Sequence, residues 1–158
     1  MTPSESPGAS SGASRVLVPL ASACVFALAA WWVARTAERR SLARDLAPYA
    51  SAPLPAADAP LDPALADLGA LVFEARCAAC HALSGPSKLG PNLEGVTYAR
   101  GLPWIRSMVL APDSMTREDP IARSLLDAYD VPMIVAGGMD GSAALAVIEF
   151  LRRADRGG

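Results

Sequence analysis

The stretch Cys77-Ala78-Ala79-Cys80-His81 opens a longer run, CAACHALSGPSKLGPNL over residues 77–93, and its reading decides how the rest of the chain is understood. Two thiols stand three residues apart, and the chain's one histidine follows the second directly. On a helical turn, positions this close lie near one another. Three chemistries use such a cluster. Zinc asks for four ligands, usually cysteine and histidine, and here only three candidates are within reach, with no second pair to follow. A thioredoxin-like dithiol wants a βαβ setting, and no strand alternation precedes Cys77.

The third chemistry fits the order itself. Cys-x-x-Cys-His is the attachment pattern of a c-type haem. Each thiol can add to one vinyl group of the macrocycle, and the following imidazole then meets the iron from the same side. Covalent attachment lets a small domain hold its cofactor without a large pocket. Haem c, bound through Cys77 and Cys80 and ligated by His81, is therefore the expected cofactor.

The surroundings are uneven in composition. Apolar residues make up 52% of the 158, and Val16–Ala34 is an uncharged run of 19, about the length that crosses a hydrocarbon core as a helix. Trp31 and Trp32 stand near its end, where indoles favour the lipid–water interface. A cleaved signal peptide is the rival reading, but the Trp pair occupies the place where small residues would be wanted. Cys24, inside this run, reads as a small buried hydrophobe. The organisation is then a polar tail over 1–15, a transmembrane anchor over 16–34, a juxtamembrane segment and Pro/Ala-rich linker over 35–63, and a compact domain over 64–156. Five prolines from Pro48 to Pro63 predict an extended, semi-rigid tether. Net charge is −2 and Lys88 is the only lysine, so no basic stripe exists and nucleic acid is not a partner.

The compact part reads as all-α. Leu65, Leu68, Val72 and Phe73 mark a helix that starts at Pro63. Residues 83–95 form a loop rich in Gly and Pro. A short helix runs from Pro103 and stops before Pro112, and another starts near Asp119 with Pro120 in its first turn. Pro132 and the glycines at 137, 138 and 141 mark a second loop. The last helix, 142–154, opens on a Ser142 cap and ends in arginines that suit its dipole.

On these residues the chain resembles the small mono-haem cytochromes c, from about Leu65 to Arg153. Gly69 and Phe73 match the glycine–aromatic pair of that family's first helix, where the last helix crosses closely. Gly90-Pro91-Asn92-Leu93 matches the loop after its haem motif, and Glu149-Phe150-Leu151 its last-helix signature. The resemblance implies that the Pro91 carbonyl accepts a hydrogen bond from His81, and that Tyr98, Arg100 and Trp104 contact the haem propionates. It implies a methionine as sixth ligand. Met133 follows Pro132 in a loop, 17 residues before Phe150, as in the family, although the order here is Pro-Met rather than Met-Pro. Met139 is the reserve candidate. Met108, inside an apolar helix, reads as core filler, and Met115 as a packing residue.

Both axial sites filled would leave no place for a substrate, so the resemblance implies a one-electron carrier rather than an enzyme. Its partners would be redox proteins or subunits of a membrane complex. A haem-based sensor or gas-binding module is the alternative. Haem attachment in the family implies a single-pass protein of a bacterial cell membrane with its haem domain on the periplasmic side. Arg35, Arg39, Arg40 and Arg44 after the span, against Arg15 before it, favour the opposite orientation.

Overall fold

A run free of glycine, with Pro19 as its only proline, makes the first helix, α1 (Ala13–Leu46). The computed structural model describes residues 13–135 and 138–157, of which 13–23 are described as backbone only. Most of the expected tail over 1–15 therefore lies outside the described residues, as do the side chains of 16–23 in the expected anchor. The chain divides into two units, the first ending at Ser41 and the second beginning at Leu42. In the first, Val25, Phe26, Leu28, Trp31, Trp32 and Val33 are all exposed. Cys24 is exposed as well, contrary to the buried reading, because a single helix has no core to offer it. Among the described residues no helix is long and apolar enough to cross a membrane.

The second unit begins earlier than the proline pattern predicts. Leu46 is buried in its core, and Leu42, Tyr49 and Leu54 pack against it. A 3-10 turn (Ala47–Tyr49) follows α1. Residues 56–62 are then held on the domain rather than extended as a tether. Arg152 donates to the carbonyls of Ala56, Ala57 and Ala59 at 3.3, 3.4 and 2.6 Å, and Arg156 to those of Ala57 and Ala59 at 2.7 and 3.1 Å. The physical reason is that prolines leave carbonyls without helical partners, and two arginines supply the donors. Glu149 accepts the Asp62 N–H at 2.7 Å and pairs with Arg152, both side chains being almost wholly buried.

Two helices carry the core. The second, α2 (Pro63–Arg76), opens on Asp62, whose carboxylate accepts the Leu65 N–H, with Pro63 in its first turn. It buries Leu65, Ala66, Gly69, Val72 and Phe73, and of the positions predicted to mark it Leu68 is left half-buried. Between it and the last helix come four short ones: α3 (Val96–Ala99), α4 (Leu102–Leu110), α5 (Pro112–Glu118) and α6 (Pro120–Tyr129). The last, α7 (Gly141–Asp155), crosses α2 at Gly69. A Cβ at Gly69 would stand 1.9 Å from the Ala146 carbonyl oxygen and 2.8 Å from Phe150 Cβ, so only glycine permits the crossing. Beside it the Phe73 and Phe150 rings meet with centroids 5.3 Å apart. Among the described residues there is no strand.

One local reading is corrected, and one element is added. The cap of α7 is Asp140, not Ser142: the Asp140 carboxylate accepts the Ser142 and Ala143 N–H groups at 3.0 and 2.9 Å, and the Ser142 hydroxyl at 2.6 Å. An ionised oxygen outcompetes a hydroxyl for these donors. The single turn α3 lies just after the expected loop over 83–95 and before the expected helix from Pro103, where the sequence marks no element. Its N-terminal N–H groups are satisfied from a distance, Gly95 and Thr97 donating to Asp155 at 2.8 Å each.

Candidate functional site

The end of α2 supplies the first wall of the site. Cys77, at its C-cap, still donates its N–H to Phe73 O at 2.8 Å. The chain then folds back in one tight turn, with the N–H groups of Cys80 and His81 both reaching Cys77 O, at 3.0 and 2.9 Å. Both cysteines are half-buried free thiols. Burial pushes the Cys77 thiol up to about 11; Arg76 pulls it back and Cys80 raises it further. Reactive dithiols show the reverse, a thiol lowered toward the thiolate.

The following loop folds back against the turn. Gly90 N–H donates to Cys80 O at 2.9 Å and Leu93 N–H to Ala82 O at 2.8 Å. This brings the Pro91 carbonyl to 2.9 Å from His81 Nδ1. A carbonyl oxygen only accepts, so Nδ1 carries the proton and Nε2 keeps its lone pair. That is the tautomer a metal-binding imidazole requires, and the carbonyl partner strengthens it as a donor. Gly90 lies directly on the ring: a Cβ there would approach His81 Cε1 to 2.7 Å.

Cys77, Cys80 and His81 line one cavity of about 330 Å³. Met133, carried by the segment after α6, lines it too, with Pro91. The five residues singled out by the sequence are thus brought to one space. Met139 is elsewhere: it borders a second void of about 210 Å³, which Met133 also touches. Met115 is half-buried and lines neither. Met108 differs from its reading as core filler, since it is half-buried on the cavity wall, beside the fully buried Ile105 and Val109 that line the same cavity.

The residues expected near haem propionates separate. Arg100 and Trp104 lie on the cavity wall, with the guanidinium 5.6 Å from the indole centroid. Tyr98 does not; it is exposed, and its hydroxyl donates to Asp155 O at 3.1 Å. Trp104 Nε1 is buried and makes no hydrogen bond. It is close enough to help hold the Asp119 carboxyl below its usual range, where the Ala122 N–H is the main cause. Sequence reasoning missed the cavity's apolar rim. Leu89, Val131 and Ile134 line it and are exposed. Their one signal was large apolar residues in loops with no helical period to bury them.

Haem c fits what is present. Two thiols share one turn, the imidazole is held in its ligating tautomer, and glycine leaves room for the ring. Among the described residues no three His, Cys, Asp or Glu side chains come together to hold a bare metal ion. An all-helical domain with an α2–α7 crossing and a Cys-x-x-Cys-His turn facing an apolar cavity is the architecture of a c-type cytochrome.

Comparison with known proteins agrees. The cytochrome c family matches residues 66–155, and the chain belongs to it. Cytochrome c from Rhodothermus marinus is similar in structure, at 31% identity and a TM-score of 0.59, with 63% of this chain and 84% of that one covered. An engineered cytochrome c from the same organism is similar at 30% identity and a TM-score of 0.59, covering 73% of this chain and 96% of that one. The cofactor is a covalently bound haem c, and the general activity is electron transfer through it.

Proposed function

We propose that this chain is a membrane-anchored carrier of single electrons, working between membrane-associated redox partners or within a respiratory or photosynthetic complex. Cys77 and Cys80 hold the haem, and His81 and Met133 ligate its iron. The observation that carries the reading is that the Met133 segment and the His81 turn line one cavity, while His81 Nδ1 is committed to the Pro91 carbonyl. When bound, haem c supplies an iron that cycles between ferric and ferrous states. The protein's part is to fix that iron between two ligands and to keep water from it with apolar walls, so that little reorganises on electron transfer. His81 keeps its proton on Nδ1 throughout, since the Pro91 oxygen can only accept.

Two features support the membrane and partner readings. The uncharged run over 16–34 lies within α1, where the side chains from Val25 to Val33 are exposed, as lipid contact requires. The apolar rim of Leu89, Val131 and Ile134, in a chain with one lysine, suits a partner docked by apolar contact more than by a lysine ring. The haem domain is assigned to the periplasmic side because haem attachment takes place there.

The test is spectroscopic. Met133→Ala should abolish the thioether–iron charge-transfer band near the red edge, admit CO to the ferrous haem and lower the potential. Met139→Leu should leave all three unchanged. The reverse pattern would move the ligand to Met139, and a wild-type protein already high-spin and open to CO would favour a gas sensor.

A further inference from the structure

Between α6 and α7 the described residues carry Met133 yet form no helix or strand. Among residues 131–135 and 138–139, one backbone hydrogen bond is internal, Gly138 N–H to Val135 O at 3.0 Å. A thioether is a weak, neutral ligand, so its bond to iron persists only if the backbone keeps the sulfur in place. The void of about 210 Å³, bordered by Met133, Gly138 and Met139, gives the sulfur room to withdraw. Something has to favour the position facing the haem cavity.

Arg76 is placed to do so. It is the last residue of α2 and directly precedes Cys77, so its backbone moves with the haem attachment turn. Its side chain lines the haem cavity, and Nη1 donates to the Gly138 carbonyl, 62 residues further on. Its charge also acts on Asp140, which accepts the Ser142 and Ala143 N–H groups at the start of α7. One guanidinium therefore joins the haem-bearing turn to the far end of the methionine segment.

We propose that Arg76 is a positioning residue for the sixth ligand: through the Gly138 carbonyl it holds the segment so that the Met133 thioether stays against the haem cavity. The proposal rests on Met133 being that ligand. It makes the ligand's persistence depend on a contact outside the apolar core, so it separates ligand loss from unfolding.

External imidazole measures the open population, since it binds ferric haem only when the thioether has left. Its apparent affinity scales with the fraction of open molecules. Losing this exposed hydrogen bond, which solvent holds to the strength of an ordinary neutral one, should raise that fraction roughly three- to tenfold. The ferric holoprotein with Arg76→Ala should bind imidazole tighter by that factor, and its charge-transfer band should bleach at lower temperature. Arg76→Lys, which keeps charge and a donor, should fall between it and wild type. A merely structural role would lower the global unfolding midpoint and leave imidazole affinity at room temperature unchanged. That outcome, with the wild-type band present, overturns the role of Arg76 alone. A wild type without the band overturns the Met133 reading and this proposal with it.

Discussion

Gly69→Ala tests the helix crossing on which the haem domain is built. The new methyl would stand 1.9 Å from the Ala146 oxygen and 2.5 Å from its carbonyl carbon, where real Cβ atoms stay beyond 3.0 Å. The obstacle is backbone of α7, which cannot rotate away as a side chain would, so the helices must part by more than an ångström. Phe150 Cβ at 2.8 Å closes the other direction, and the Phe73–Phe150 ring contact is lost as the helices separate. Overpacking of this kind costs about 1–3 kcal/mol, and the rigid neighbour places this site at the upper end. The higher helix propensity of alanine returns up to about 1 kcal/mol. The net loss should be about 2 kcal/mol, read as a lower denaturant midpoint with an unchanged slope in far-ultraviolet circular dichroism. Gly95→Ala is the useful contrast, because its Cβ meets nothing within 4 Å and its cost comes from a φ of 71° alone. If Gly69→Ala proved neutral or stabilising, the close crossing and the reading of the fold from it would be wrong.

Other outcomes follow from the buried pair and the last cap. Arg152→Met should destabilise by about 3–5 kcal/mol, because it leaves Glu149 charged and buried and takes a donor from the Ala56, Ala57 and Ala59 carbonyls, of which Arg156 still serves the last two; Arg152→Met with Glu149→Leu should recover part of that loss in the same denaturation assay. Asp140→Ala should cost about 1 kcal/mol at neutral pH. The Asp140 carboxyl is held low by the Ser142 hydroxyl first and then the Ala143 N–H, so its contribution is present above the ordinary aspartate value of about 3.9 and lost as pH falls through the lower folded value. The gap between Asp140→Ala and wild type should therefore close in strong acid and stay constant from pH 5 to 7; a gap that widened on acidification would refute the cap assignment.

What the sequence made legible was whatever is local and periodic. Leu65, Val72 and Phe73 announce α2 by their spacing, Pro120 after Asp119 announces α6, and Cys77 to His81 carry their chemistry in their order. The parts that escaped depend on distant partners. Helix α5 is seven mostly polar residues, Pro112–Glu118, with no apolar period to mark it. Helix α3 is satisfied by Asp155, nearly sixty residues later. Glu149 and Arg152 look like the wet face of a terminal helix, and only the return of residues 56–62 across them makes them the most deeply buried charges described. For the same reason a proline-rich stretch that reads as a tether is part of the domain's surface. Met108 shows the limit within a helix: spacing says that a residue is apolar and inward, not whether it meets core or cavity.

The central claim is that Cys77 and Cys80 bind one haem covalently while His81 and Met133 hold its iron. Acid–acetone extraction of the denatured protein, followed by intact mass measurement, tests its first half most directly. The wild type should keep its colour and show the mass of the chain, after any leader removal, plus one haem, and Cys77→Ala with Cys80→Ala should show the chain alone. A wild-type protein whose haem passes into the acetone, or whose mass is that of the bare polypeptide, would contradict the account.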